Sequence, residues 1–282
     1  MKLALNFFVP CLILTMIPGN PALQTASSAV WAIVLGFAVI VIGFGVAFLI
    51  SRITGMRKGE GLRTFVISCG IQNYGYLPIP ILAELFPDDS GPSGLVFVHG
   101  IGVELAMWTV GLAILNGKAG WRSAINGPFI AVITALILNY TGTYQYIPGI
   151  LSTVMEMMGK CAIPLSIFMI GATMGRFFER EVLNDAVRTA LVSVFVRIIL
   201  LATMILAAAK YLPLTDDLKK LLVVQAAMPA AIFPILIARL YGGRPQVAIQ
   251  VVLATSVVSI VSAPFVIAYG MQWVGSGEFL LP

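Results

Sequence analysis

Two stretches of this sequence join prolines to side-chain amides inside otherwise apolar segments. The first is Gln72-Asn73-Tyr74-Gly75-Tyr76-Leu77-Pro78-Ile79-Pro80, and the second is Gln225-Ala226-Ala227-Met228-Pro229-Ala230-Ala231-Ile232-Phe233-Pro234. Proline lacks an amide donor and clashes with the preceding turn, so paired prolines are expected to open a helix at each stretch. Carbonyls and amides freed in this way need protein or water partners, because lipid offers none. The N-terminus of a half-helix presents unpaired amides and a positive dipole end, which favour an anion. Asn73 and Gln225 would add side-chain hydrogen bonds, and Tyr74 and Tyr76 would line a cavity. The candidate binding residues are therefore Asn73, Tyr74, Gly75, Tyr76, Pro78 and Pro80, facing Gln225, Met228, Pro229 and Pro234.

Ionisable side chains within apolar segments are costly and count as functional candidates. Glu104 lies near the centre of its segment, with His99 one to two turns earlier. Two readings stand for them, a proton-coupling role and a structural hydrogen bond. Glu156 and Lys160 are spaced to pair on one helix face, with Lys160 kept as a candidate charge in the site. Arg197 could hold a carboxylate through two parallel hydrogen bonds or tether neighbouring helix ends. Other chemistries lack their residues. His99 is the only histidine, so no multi-histidine metal centre can form, and the three cysteines are too far apart for metal-ligand spacing. No phosphate-cradling loop, nucleophile elbow or His-Glu-x-x-His helix occurs, and no cofactor is expected.

The elements that must position these residues follow from composition. Of 282 residues, 59% are hydrophobic and 10% charged, against about 45–50% and about 25% in soluble domains. That balance reads as an all-α integral membrane protein, because spanning segments must satisfy their own backbone. A span needs about 20 mostly apolar residues. Interruptions then leave candidate transmembrane helices at approximately 3–18, 28–50, 62–86, 92–116, 123–141, 148–175, 186–211, 218–240 and 246–272. The whole chain, 1–282, reads as one transporter-like domain with no room for a soluble one.

Lys2, Arg52, Arg57, Lys58, Arg63, Lys118, Arg122, Arg176, Arg180, Arg188, Arg239 and Arg244 fall on one side of these nine segments, and only Lys210, Lys219 and Lys220 on the other. The bias predicts a cytoplasmic N-terminus and an external C-terminus. It accounts for the net charge of +5 without nucleic acid. Lys2 and the apolar run after it also resemble a signal peptide, although Asn6 and Pro10 suit one poorly.

An internal repeat is visible. Pro10 and Pro164 are 154 residues apart, and Pro78 and Pro234 are 156 apart. Helices one to four then match helices six to nine, with repeat one at about 1–116 and repeat two at about 123–272. An odd number of helices separates the copies, so they are inverted, and the two broken helices should cross. The fifth helix has no counterpart. The plan is expected to be four-plus-five, from a five-plus-five parent whose first helix is lost or lies before a misplaced start codon.

Asn73-Tyr74-Gly75-Tyr76-Leu77-Pro78-Ile79-Pro80 resembles the Asn-x-Gly stretch and following proline in the fourth helix of the auxin efflux carrier family. Ala227-Met228-Pro229-Ala230-Ala231, Tyr241-Gly242-Gly243 and Thr255-Ser256-Val257-Val258-Ser259 are similar to its ninth and tenth helices. Leu5-Asn6 with Pro10 resembles its second, and Ile163-Pro164-Leu165 with Ile170-Gly171-Ala172 its seventh. The resemblance, to a bacterial-type permease lacking the family's first helix, implies two inverted five-helix repeats with crossing fourth and ninth helices. It implies a secondary carrier or efflux permease for auxin-like or small carboxylates such as malonate or malate. The expectations are thus alternating-access transport of a small organic anion, no enzymatic activity, a plasma (inner) membrane location, a lipid bilayer as partner and no nucleic acid. Gly171 and Gly175 read as a helix-packing surface, with a homodimer left open. A sensor that keeps the carrier fold without transporting is the alternative.

Overall fold

The structure is a computed structural model and describes residues 4–56, 61–117, 120–177 and 187–276. Lys2, Arg57, Lys58, Lys118 and Arg180, on which part of the expected topology rests, lie outside the described residues. The described residues are helical and carry no strand beyond one isolated pairing of Gln72 with Ala230.

A short π-helical turn leads into α1 (Val9–Met16), followed by α2 (Ala26–Ile53), α3 (Leu62–Gly70), α4 (Pro78–Leu85) and α5 (Gly91–Asn116). Next come α6 (Gly127–Thr141), α7 (Gly149–Phe177) and α8 (Val187–Tyr211). The chain then forms α9 (Asp216–Ala227), α10 (Phe233–Tyr241) and α11 (Pro245–Val274). By length and composition α2, α5, α8 and α11 can cross a membrane unbroken, and two shorter apolar helices are Asn6–Met16 and Gly127–Thr141.

Polarity runs outward in reverse of a soluble protein. Val30, Val34, Leu49 and Ile53 of α2 and Val257, Ile260, Val261 and Phe265 of α11 are exposed. Ser28, Ser51, Thr255 and Ser259 of the same helices are buried. An apolar solvent drives no hydrophobic sorting, so the interior is held by close backbone approach and hydrogen bonds. Gly36 of α2 and Gly102 of α5 show how close. A β-carbon on Gly36 would collide with the carbonyl of His99, and one on Gly102 with the backbone of Ile33 and Phe37.

Two helix sets result. α6 and α7 each pack on α1, while α2 to α5 pack with α8 to α11. Basic side chains gather at one end of the bundle. Arg63 donates to the carbonyl of Leu115 at 3.2 Å, Arg188 lies beside Gly55, and the amide of Arg244 donates to Thr64 at 2.9 Å. At the opposite end Lys220 pairs with Asp89 and Asp216, each at 2.9 Å. Partial burial pushes the Asp89 carboxyl up, but hydrogen bonds from Lys220 and the Gly91 amide outweigh it and hold the group below its ordinary value.

Gly102→Val should lower the thermal unfolding midpoint of the purified protein by several degrees or prevent its accumulation, because backbone cannot yield to the new side chain. Gly45→Ala, where a β-carbon meets nothing within 4 Å, should be neutral or stabilise by about 0.5–1 kcal/mol. Equal tolerance of both would refute close α2–α5 packing as the fold's organising contact.

Candidate functional site

Both proline-bearing stretches are broken helices, and their breaks meet. α3 stops at Gly70 and α9 at Ala227, after which Ile71 and Met228 turn to extended backbone. Residues 71–73 and 229–231 then run antiparallel. The amide of Asn73 donates to the carbonyl of Pro229 at 2.8 Å, and that of Ala231 to the carbonyl of Ile71 at 2.8 Å. Each break thus supplies partners for backbone groups that the other has freed.

The prolines act one step later than their sequence suggests. Pro78 and Pro80 lie in the first turn of α4 and Pro234 in the first turn of α10, while Pro229 alone lies in extended chain. A first turn has amides with no intrahelical partner, so proline is tolerated there and its fixed φ starts the helix. The breaks themselves come at Ile71–Leu77, which holds Gln72, Asn73 and Gly75, and at Met228–Ile232.

Side chains complete the crossing. The Gln225 amide donates to the carbonyl of Tyr74 at 3.0 Å. Arg197, fully buried, donates from Nε to the carbonyl of Met228 at 3.0 Å and from Nη2 to that of Gln225 at 3.1 Å. Thr255 accepts from the amide of Ala230 at 3.2 Å and donates to the carbonyl of Val251 at 2.7 Å. Asn73 accepts from the amide of Leu77, just before α4, at 3.3 Å. Its Nδ2 has no protein partner among the described residues.

Beside the crossing lies a cavity of about 320 Å³ between the two helix sets. One wall is α1, α6 and α7, through Val9, Ile13, Phe129 and Ile163. The other is the crossing with α4, α5 and α10, through Asn73, Ile79, Ile232 and Phe233. The wall is mostly apolar. Its polar groups are Asn6, Asn73, Tyr74, Tyr76, Glu104, Trp108 and Asn126. Glu104 is its one charged side chain, accepting from Tyr74 at 3.3 Å and from Asn126 Nδ2 at 2.5 Å. Trp108 packs edge-on against Phe233 and Tyr241, with ring centroids 5.9 and 6.1 Å apart.

Asn73, Tyr74, Gly75, Tyr76, Pro80 and Glu104 are thus brought together at one cavity. Gln225, Met228, Pro229, Pro78 and Pro234 build the crossing behind it and do not line it. Arg197 tethers helix ends there, and the two-bond grip its fork makes is on backbone carbonyls. His99 is buried on α5, with no partner for either ring nitrogen among the described residues, and lines no part of the cavity. Lys160 does not line this cavity. It pairs with Glu156 at 2.7 Å, its side chain is 71% exposed, and it borders a separate cleft between α1 and α7. Asn126 and Trp108 were not predicted. The Asn126-Gly127-Pro128 sequence was a legible signal for the former, because Asn126 caps α6 by accepting from Phe129 at 2.9 Å.

Thr255→Val keeps the side chain's shape but leaves the buried amide of Ala230 without an acceptor. It should cost about 1–3 kcal/mol of stability, read as a fall of about 2–12 °C in the unfolding midpoint. An unchanged midpoint would mean that α11 does not hold the crossing.

Known proteins similar to this chain are membrane transporters. The family model described as "Membrane transport protein" matches residues 1–122 and 115–267. A protein of Methanothermobacter thermautotrophicus described as an uncharacterized transporter is 24% identical over 227 residues, covering 78% of this chain and 71% of that protein. The chain is a multi-pass membrane protein, a transporter by family and not a member of an enzyme class, and it belongs to the auxin efflux carrier-like membrane transport protein family.

Proposed function

We propose that the protein is a secondary carrier that moves a small organic anion by alternating access at the crossing of α3–α4 with α9–α10. The observation that carries this reading is the cavity's position between the two helix sets, against both breaks. Relative movement of one set against the other would open that cavity to either side in turn. Its volume suits a small organic molecule, and its apolar wall suits a carbon skeleton. A carboxylate would take Asn73 Nδ2 and the first-turn amides at Ile232 and Phe233, at the positive end of the α10 dipole.

The larger plan belongs to the same proposal. The chain forms one transporter domain of nine spans in inverted repeats, about 1–116 and 123–272, with α3–α4 and α9–α10 as equivalent broken spans. Their antiparallel meeting supports that equivalence. The basic end would face the cytoplasm of a cell membrane, with the N-terminus inside and the C-terminus outside.

Glu104 sets the coupling. An ionised carboxylate there would repel an anion about 6 Å away by about 3 kcal/mol at an effective dielectric near 20. Protonation removes that repulsion, so anion and proton would travel together. In proteoliposomes, uptake of labelled malonate or malate should rise as pH falls, and Glu104→Gln should flatten the pH profile. An equally steep profile in Glu104→Gln would remove Glu104 from the coupling. Asn73→Ala should reduce uptake by about tenfold or more, the loss of one charge-assisted hydrogen bond of about 1.5–3 kcal/mol. Full uptake by a folded Asn73→Ala protein would contradict the site.

A further inference from the structure

In secondary carriers built on broken helices, the carbonyls at half-helix C-termini are where a coupling sodium ion is held. Five carbonyls at the crossing have partners within the chain. Ile71 and Pro229 carbonyls accept backbone amides, the Tyr74 carbonyl accepts from Gln225, and the Gln225 and Met228 carbonyls both accept from Arg197. No carboxylate pairs with Arg197 among the described residues, although the side chain is fully buried. Its charge is met by carbonyl dipoles at the C-terminal end of α9, which carry a partial negative charge.

We propose that Arg197 is the resident cation of the crossing, a positioning residue whose guanidinium stands where an exchangeable sodium ion would otherwise bind the end of α9. The guanidinium suits this place better than an ammonium, because its planar fork reaches two carbonyls at once. The two halves of the molecule handle the problem differently. On the 154-residue offset, Arg197 corresponds to residue 43 (197 − 154 = 43), which is Gly43. A β-carbon on Gly43 would lie 3.0 Å from the carbonyl of Gly70. One half therefore closes its break by direct helix contact, and the other inserts a fixed charge. It follows that the end of α9 needs no sodium, and the coupling falls to Glu104 on the reading above. Only that last step rests on the carrier function, since the following measurements need no substrate.

The test is the thermal unfolding midpoint of the purified full chain in sodium, potassium and choline chloride at equal ionic strength. Wild type should show the same midpoint in all three, within about 1 °C, and Arg197→Ala should lose about 5–10 °C. Methylguanidinium, well below denaturing concentration, should restore part of that loss where choline does not, and Arg197→Lys should fall between. A sodium-selective rise in wild type, an unchanged Arg197→Ala midpoint, or rescue no better with methylguanidinium than with choline would each overturn the proposal. If Arg197→Ala cannot be recovered folded, the wild-type ion series and Arg197→Lys decide, with a Lys midpoint equal to wild type counting against it.

Discussion

Two hydrogen bonds of 2.8 Å between the breaks at 71–73 and 229–231 hold this structure's functional region together. Backbone interrupted inside a lipid-embedded helix must find partners within the protein, because each unsatisfied group costs several kcal/mol. A single broken helix could not satisfy itself here. Two breaks laid antiparallel can, and the pairing fixes where α3, α4, α9 and α10 begin and end. Arg197, Gln225, Thr255 and Asn73 then take the carbonyls and amides that the pairing leaves over.

Function follows from the same constraint. Once the breaks are paired, their amide-bearing side can face a cavity without exposing backbone to lipid. Asn73 holds the amide of Leu77 with its side-chain oxygen, and its amino group has no partner among the described residues. Glu104 is held from two directions, by Tyr74 of the crossing and Asn126 at the start of α6. These two partners belong to different helix sets. A movement between the sets would therefore change the surroundings of the one carboxyl in the cavity, which links its protonation to conformation.

Much of this was legible in the sequence, and the failures have physical causes. Every apolar segment proposed from composition contains helix, and 62–86 and 218–240 are interrupted at Ile71–Leu77 and Met228–Ile232. The eighth candidate segment begins at 218, past the charged interruption, yet α9 begins at Asp216, because carboxylates favour a helix N-terminus. The breaks were located by proline, but proline opens the second half-helix and the interruption precedes it. The Glu156–Lys160 pair formed as its spacing required, although spacing could not tell that it would face away from the cavity. Arg197 had two readings from sequence, and only the placement of α9 beside α8 distinguishes them. Asn126 depends on tertiary approach to Glu104, 22 residues distant in sequence, which no local pattern records.

The central claim is that the crossing is reached in turn from both sides of the membrane. Gly75 is the place to ask, because it lines the cavity and a β-carbon there meets nothing within 4 Å. With Cys11, Cys69 and Cys161 replaced, a Gly75→Cys protein would be treated with a membrane-impermeant maleimide in right-side-out and inside-out vesicles. The account predicts labelling from both sides, slowed in each case by saturating substrate. Labelling from one side alone, under every substrate and pH condition, would contradict it.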